Sequence, residues 1–195
     1  MSLPQPDPGV LRKAQRGDER AFSIIVRTYE TPVYNYVLRL TNGDKPLAED
    51  LTQEVFLRVF QGLSGFSLRS RFTTWLFQVT KNRVLDELRA LERRPRSVVA
   101  LEDIPPLEVV DAPVERSETI DAVWRAVEAL NPDLKMALLL RDVVGLSYTE
   151  IAETLEITLA TVKWRIYKAR EEVQLALHRE GIMSPPVVVA PAEHA

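Results

Sequence analysis

Apolar residues recur along this chain at three- and four-residue intervals, and the polar residues between them mark where helices begin and end. Behind Asp18, the positions Phe22, Ile25, Val26 and Tyr29 fall at i, i+3, i+4 and i+7, which predicts a capped helix. Thr31-Pro32 predicts a second start: the hydroxyl accepts an orphan N–H, and proline at the first helical position has none to leave unpaired. Val33, Val37 and Leu40 carry that helix to Asn42-Gly43. Asp44 and Pro46 open a third, with Leu47, Leu51 and Val55 inward, and Gly62 to Gly65 break it. Ser70 is the expected cap of a fourth, which carries Phe72, Trp75, Leu76 and Val79 and runs to about Arg94, before Pro95. Four helices with short connections predict a bundle over residues 10–96.

From residue 97 to 119 neither helical period nor strand alternation persists. Pro105, Pro106 and Pro113 stand among Glu102, Asp103, Glu108, Asp111 and Glu115, which reads as a linker. A second domain over 120–180 opens with Ile120, Val123, Trp124, Val127 and Leu130 on one face. Asn131-Pro132 starts its next helix, and Gly145 is the natural left-handed stop. Ser147 to Glu150 has capping-box spacing and launches a short helix; Thr158 caps a last one with Val162, Ile166, Ala169, Val173 and Leu177 on its rear face. Residues 181–195, rich in Pro, Val and Ala, read as a disordered tail. The fold class expected is all-α: an N-terminal four-helix domain and a C-terminal helix-turn-helix domain, joined by an extended acidic linker.

Composition narrows the function. The 195 residues include no cysteine and two histidines, which excludes disulfides and cysteine-ligated zinc and leaves almost nothing for a histidine metal site. No metal, cofactor or catalytic constellation is expected, and therefore no enzyme. No run of about 18 apolar residues suggests a membrane span, and the N-terminus lacks signal-peptide character, so a soluble, cytoplasmic protein is expected. The net charge of −3 hides an uneven distribution: residues 1–96 hold 16 Lys/Arg against 11 Asp/Glu, residues 97–120 hold 1 against 6, and residues 121–195 hold 8 against 11. Local potential, not the total, steers partners.

Residues 147–170 have the helix-turn-helix plan, in which the second helix enters a major groove with its N-terminal residues at base edges. From Leu159 to Arg170 there are four basic residues and no acid, and the free N–H groups near Thr158 to Thr161 suit a phosphate. A second basic stretch, Phe66 to Arg96, holds eight cations against three acids, with Phe66, Phe72, Trp75 and Phe77 interleaved. Aromatics beside cations suit unstacked single strands. The same spacing also suits a core stripe, and Phe72 and Leu76 are expected to be buried. The loop Gly62 to Gly65 with Phe66 is a place to hold an extruded base. Asp50 and Glu54, four residues apart, present acids on a helix better suited to docking a protein than to holding a metal.

These segments, in this order, resemble the extracytoplasmic-function group of bacterial RNA polymerase sigma factors. Four stretches carry the likeness: Arg16 to Tyr29; Ala48-Glu49-Asp50-Leu51-Thr52-Gln53-Glu54-Val55-Phe56-Leu57-Arg58-Val59-Phe60; Phe72-Thr73-Thr74-Trp75-Leu76 with Asn82, Asp86 and Arg89; and Gly145 to Arg170. The resemblance implies a dissociable specificity subunit that directs core polymerase to promoters and begins strand opening. It implies that Asp50, Gln53, Glu54 and Phe56 dock on core polymerase. Gly62, Ser64, Phe66, Arg71, Trp75, Lys81, Asn82 and Arg83 would read the melted minus-ten element. Tyr148, Thr158, Ala160, Thr161, Lys163, Trp164, Arg165, Lys168 and Arg170 would meet the minus-thirty-five duplex. The partners implied are core RNA polymerase, promoter DNA as duplex and single strand, and an anti-sigma factor. Four positions depart from the family pattern: Thr73 stands where Arg is frequent, Glu156 where a turn Gly is common, Ala160 where Gly is frequent and Trp164 where a small residue is usual. The residues alone leave two other readings open, a two-domain helix-turn-helix regulator and a helical protein-interaction adaptor.

Overall fold

Short polar side chains at the helix starts fix where each element begins. In the computed structural model, residues 3–67, 69–93 and 118–182 are described, and they form eight α-helices. Asp7 accepts the N–H groups of Gly9 and Val10 and opens α1 (Pro8–Gln15). Asp18 does the same for Ala21 at the head of α2 (Glu19–Leu40), and Asp44 for Leu47 at the head of α3 (Lys45–Gly62). A single 3-10 turn, Leu63–Gly65, leads toward α4 (Phe72–Arg93).

Sequence pattern and structure part company in three places here. Helix α1 was not foreseen, although Asp7-Pro8 is the same cap-and-proline signal that marks α3 and α6. Thr31-Pro32 does not start a helix; Pro32 sits inside a continuous α2. A proline there costs roughly 3 kcal/mol through a lost hydrogen bond and ring crowding. Tyr29, Val33, Tyr36 and Val37, all fully buried, carry one stripe across it, and at about 1.5–3 kcal/mol per buried large side chain that stripe offsets the cost. Nor does Ser70 cap α4. The side-chain oxygen of Gln5 accepts the Phe72 N–H at 2.9 Å, so the extended N-terminal strap supplies the cap from 67 residues away.

The core of the first unit is aromatic. Tyr36 meets Phe77 edge-on at 5.6 Å between ring centres, Tyr29 lies 5.3 Å from Phe72, and Ile25, Leu51, Leu63 and Leu76 fill the gaps. The Tyr29 hydroxyl donates to the Pro4 carbonyl and its pKa is pushed up to about 12 by burial. Among the described residues the Tyr36 hydroxyl has no partner, and burial drives its pKa further up.

The second unit contains α5 (Glu118–Glu128), α6 (Pro132–Asp142), α7 (Tyr148–Leu155) and α8 (Leu159–Arg179). Its starts follow the sequence signals: Asn131 caps α6, Ser147 and Glu150 complete a reciprocal capping box on α7, and Thr158 caps α8. Gly145 takes φ +84° where the chain turns from α6 to α7. Along α8, Val162, Ile166, Ala169 and Leu177 are buried and Val173 half-buried, the rear face the spacing required. Helix α5 starts two residues inside the stretch expected to be linker; the rest of that linker, with Arg94 to Arg96 and the tail from 183 onward, lies outside the described residues.

The units pack together through α4 against α7 and α2 against α6. At the α2–α6 end the Arg39 guanidinium lies 3.5 Å over the Trp124 ring, and Lys135 Nζ donates to Asn42 Oδ1 and to the Glu128 carbonyl, each at 2.8 Å. Burial lowers the Lys135 pKa against the pull of Glu128.

Candidate nucleic-acid interface

Helix α3 presents Asp50 and Gln53 to solvent. Glu54 is exposed as well, but its carboxylate is bonded by Arg83 of α4, and that hydrogen bond holds it below the usual carboxylate range. Phe56, expected on the docking surface, is 7% exposed and belongs to the core. The helix turns it inward with Leu51, Thr52, Val55 and Val59. Leu57 and Phe60 take its place outside, with Phe22 edge-on to Phe60 at 4.9 Å. Four-residue spacing from Gln53 would have pointed to Leu57.

The loop after α3 is built around Trp75. A side chain at Gly62 would place its Cβ 3.3 Å from the Trp75 ring, so glycine lets the indole lie against the loop. Phe66 stacks on the same ring at 4.9 Å and touches Phe72 at 5.9 Å; it is buried. Gln15 Nε2 donates to the carbonyls of Leu63 and Phe66 and ties the loop to α1. Phe66 therefore braces Trp75 from behind instead of offering its own face to a base. Gly62, Ser64 and Asn82 are exposed and Trp75 is half-buried. Phe72 and Leu76 are buried, as their stripe requires.

The cations expected beside these aromatics are mostly occupied. Arg83 is buried between Glu54 and Glu87, and those two bonds raise its pKa against the opposing effect of burial. Arg71 reaches Glu150 at 3.0 Å, and Lys81, buried, reaches Glu156 at 3.4 Å. Both acids belong to the helix-turn-helix. Apart from Arg83–Glu87, an i, i+4 pair within α4, these contacts are not legible from spacing, because each joins residues far apart in the chain.

In the second unit α7 and α8 cross with the turn Glu156 to Thr158 between them. Glu156 adopts φ +59° and ψ +42°, a left-handed conformation that costs a non-glycine residue roughly 1–2 kcal/mol. The turn thus keeps the shape a glycine would give it. Thr158 accepts the Thr161 N–H, and the two hydroxyls sit 2.8 Å apart. From there Ala160, Lys163, Trp164 and Tyr167 project outward, with Trp164 59% and Tyr167 68% exposed. Tyr167 was not among the expected contacts, although three-residue spacing from Trp164 places it on the same face. Tyr148 is half-buried beneath Arg141, whose guanidinium is 5.0 Å from its ring centre.

Three cations of α8 turn away from that face. Arg165 pairs with Asp133 at the start of α6, Arg170 with Asp142 at its end, and Lys168 with Glu171 and Glu172 along its own helix. Side-chain bonding to Asp142 raises the Arg170 pKa, and bonding to Glu171 raises that of Lys168. Lys163 makes no ion pair among the described residues. The outward face of α8 is therefore small and hydroxylic at its first turn, then cationic, then aromatic, a sequence suited to a groove edge with phosphate at the helix N-terminus. Among the described residues no cluster of metal-binding side chains occurs and no helix is long and apolar enough to cross a membrane.

Comparison with known proteins places names beside this geometry. The family description sigma-70 region 2 matches residues 25–94, and sigma-70 region 4 matches residues 120–173. The chain is 33% identical to the RNA polymerase sigma-H factor of Pseudomonas aeruginosa, over 91% of this chain and 96% of that protein. It is 34% identical to the ECF RNA polymerase sigma-E factor of Escherichia coli, over 89% and 95%. Among solved structures, CnrH in complex with the cytosolic domain of CnrY superimposes with a TM-score of 0.66 at 20% identity, covering 88% of this chain and 96% of that one. The sigma factor RpoE in complex with the anti-sigma factor NepR, from Bartonella quintana, gives 0.67 at 21% identity, covering 80% and 96%. At those identities the two structures speak for the fold alone.

Proposed function

The chain belongs to the extracytoplasmic-function group of RNA polymerase sigma factors, and from that premise we propose how its two helical units divide the work. The protein directs core polymerase to specific promoters and takes part in opening the strands. In this reading α3 docks on core polymerase through Asp50 and Gln53, with Leu57 and Phe60 beside them; Glu54 holds Arg83 in place and Phe56 supports the helix from the core. Trp75, braced by Phe66 and shaped by Gly62, offers one face to a base leaving the stack, with Ser64, Asn82 and the cations Arg71, Lys81 and Arg83 near the strand. Opening a base pair costs a few kcal/mol, and stacking on one aromatic returns roughly 1–3 kcal/mol, so capture and opening are matched in scale.

Helix α8 reads duplex DNA with Thr158, Ala160, Thr161, Lys163 and Trp164, and Tyr148 steadies the supporting helix. Arg165 and Arg170 act indirectly, by fixing the angle of α8 on α6, and Lys168 contributes once released from Glu171. The observation that supports this reading is the conjunction in one chain of an exposed helix-turn-helix face, a loop-braced tryptophan and a helix α3 that exposes Asp50, Gln53, Leu57 and Phe60. The function is that of a non-catalytic initiation factor acting where polymerase acts, in the cytoplasm, and its regulation includes an anti-sigma protein that covers the docking surfaces. Run-off transcription with core polymerase on a promoter library tests it. Adding the chain is expected to select a promoter class, and Asp50→Lys with Gln53→Ala to abolish the selection. Unchanged selection in that variant would refute the docking assignment.

A further inference from the structure

Helix α8 sends its arginines to its flanks and its aromatics to its front. Val162, Ile166 and Ala169 face the core, and Arg165 and Arg170, each one residue from that stripe, leave the helix beside it. There Asp133 and Asp142 of α6 hold both guanidinium groups, and Arg165 keeps only 17% of its side chain in solvent. Lys168 is tied to Glu171 at 2.6 Å, with Glu172 at 4.0 Å. The front of the helix, Ala160, Trp164 and Tyr167, is therefore a methyl group followed by two rings. Among the described residues Trp164 and Tyr167 are the most exposed of the large apolar side chains.

Bases differ in what they offer such a surface. Guanine is read most often by a bidentate arginine and adenine by an asparagine or glutamine, whereas thymine adds an apolar group, its C5-methyl, to the major-groove edge. The N-terminal half of α8 contains neither Asn nor Gln, and its arginines are committed to α6. What remains in front suits a methyl group. The frame around the rings suits a polyanion and not a protein: no acid stands between Leu159 and Arg170, and Lys163 is exposed without an ion pair among the described residues.

We propose that Trp164 and Tyr167, with the Cβ of Ala160, read thymine C5-methyl groups in the minus-thirty-five duplex, so that this chain selects adjacent base pairs carrying thymine. The proposal deepens the assignment of α8 to duplex reading and rests on it. Helix geometry sets the register. Trp164 and Tyr167 are about 4.5 Å apart along the axis, at about 1.5 Å per residue. Base pairs are stacked about 3.4 Å apart, so the two rings meet neighbouring pairs and the stripe from Ala160 to Tyr167 covers about three. Lys163 is left to a phosphate, where it adds affinity without base choice.

The test removes the methyl group and leaves the hydrogen-bonding edge intact. A promoter selected from the library by holoenzyme is rebuilt with deoxyuridine for each minus-thirty-five thymine in turn. Competition binding at fixed salt, with holoenzyme containing the full chain, is expected to show about a four-fold loss at two neighbouring base pairs, the worth of one buried methyl-sized group. Uracil in the spacer should cause none. Trp164→Ser and Tyr167→Ser should each lose the methyl effect at one of the two base pairs, Trp164→Phe should keep both, and Lys163→Ala should weaken thymine and uracil promoters alike. Both rings are exposed, so serine there leaves the fold intact, and thermal melting checks that it does.

A selected element without adjacent thymines, uracil tolerated at every position, or a methyl effect that survives in both serine variants would each overturn the proposal. Serine variants that lose core polymerase while keeping the methyl effect would assign the rings to a protein and overturn it too. The same library offered as duplex to the full chain alone, at low salt, separates the two claims. Methyl dependence there, without promoter selection by holoenzyme, condemns the sigma reading and leaves methyl reading standing; selection by holoenzyme without methyl dependence does the reverse. A chain that retains no duplex in either setting overturns both.

Discussion

Replacing Arg83 with alanine tests whether α3 and α4 are mechanically one piece. Its side chain is 10% exposed and bridges Glu54, 48% exposed, and Glu87, 18% exposed. A half-exposed partner is screened, so the Glu54 bond contributes about 0.5–1 kcal/mol, and the better-buried Glu87 bond about 1 kcal/mol. Truncation also strips the apolar stem from its packing and leaves two carboxylates facing each other. The expected destabilisation is about 1.5–2.5 kcal/mol, or roughly a 1 M lower urea midpoint for a slope of about 2 kcal/mol/M. Trp75 fluorescence in a Trp124→Phe, Trp164→Phe background follows the first unit alone. A double-mutant cycle with Glu54→Gln is expected to give about 0.5–1 kcal/mol of coupling at neutral pH. The sign of the pH effect follows from the lowered Glu54 pKa: the pair's contribution is complete above the ordinary glutamate value of 4.5 and fades as pH falls through the depressed folded value. Coupling indistinguishable from zero at neutral pH, or coupling that grows on acidification, would refute the argument.

Three further outcomes are expected. Tyr36→Phe removes a buried hydroxyl with no partner among the described residues while keeping the edge contact to Phe77, so thermal melting should show about 1 kcal/mol of added stability; a loss of that size would mean the hydroxyl is satisfied. Lys163→Ala should weaken holoenzyme binding to all promoters alike and reduce the slope of log affinity against log salt by about 1, whereas Trp164→Ala should change which minus-thirty-five sequences are preferred; competition binding across a promoter series separates the two. Gln5→Ala removes the cap of α4, and hydrogen exchange at Phe72 should rise several-fold with little change at Val84, which lies deep in the helix.

Local chemistry made most of the fold legible. Asp18, Asp44, Asn131, Ser147 and Thr158 all cap where short polar residues before an apolar period should, because capping is settled within four residues of chain. Pro32 misled because the same local rule ignores the tertiary burial of Tyr29 and Val33 that overrides it. The inward turn of Phe56 and Phe66 was hidden for a related reason: a helix phase or loop path is fixed by what packs behind it. Spacing counted the cations correctly but not their partners. Thr73 and Glu150 are 77 residues apart, and Gln78 and Glu156 are 78 apart, so no window along the chain reveals that the basic strip of one unit faces acids of the other. Glu156 shows the limit most clearly: its left-handed backbone was foreseeable as a cost, but its contact with Lys81 was not.

The central claim is that this chain confers promoter opening on a polymerase that lacks it. A promoter selected from the library, with 2-aminopurine in its minus-ten element, reports strand opening by fluorescence. Core polymerase alone and the chain alone should each leave the signal at baseline, the two together should raise it, and Trp75→Ala should largely abolish the rise while docking persists. Opening by core polymerase that is the same with and without the chain would contradict the account.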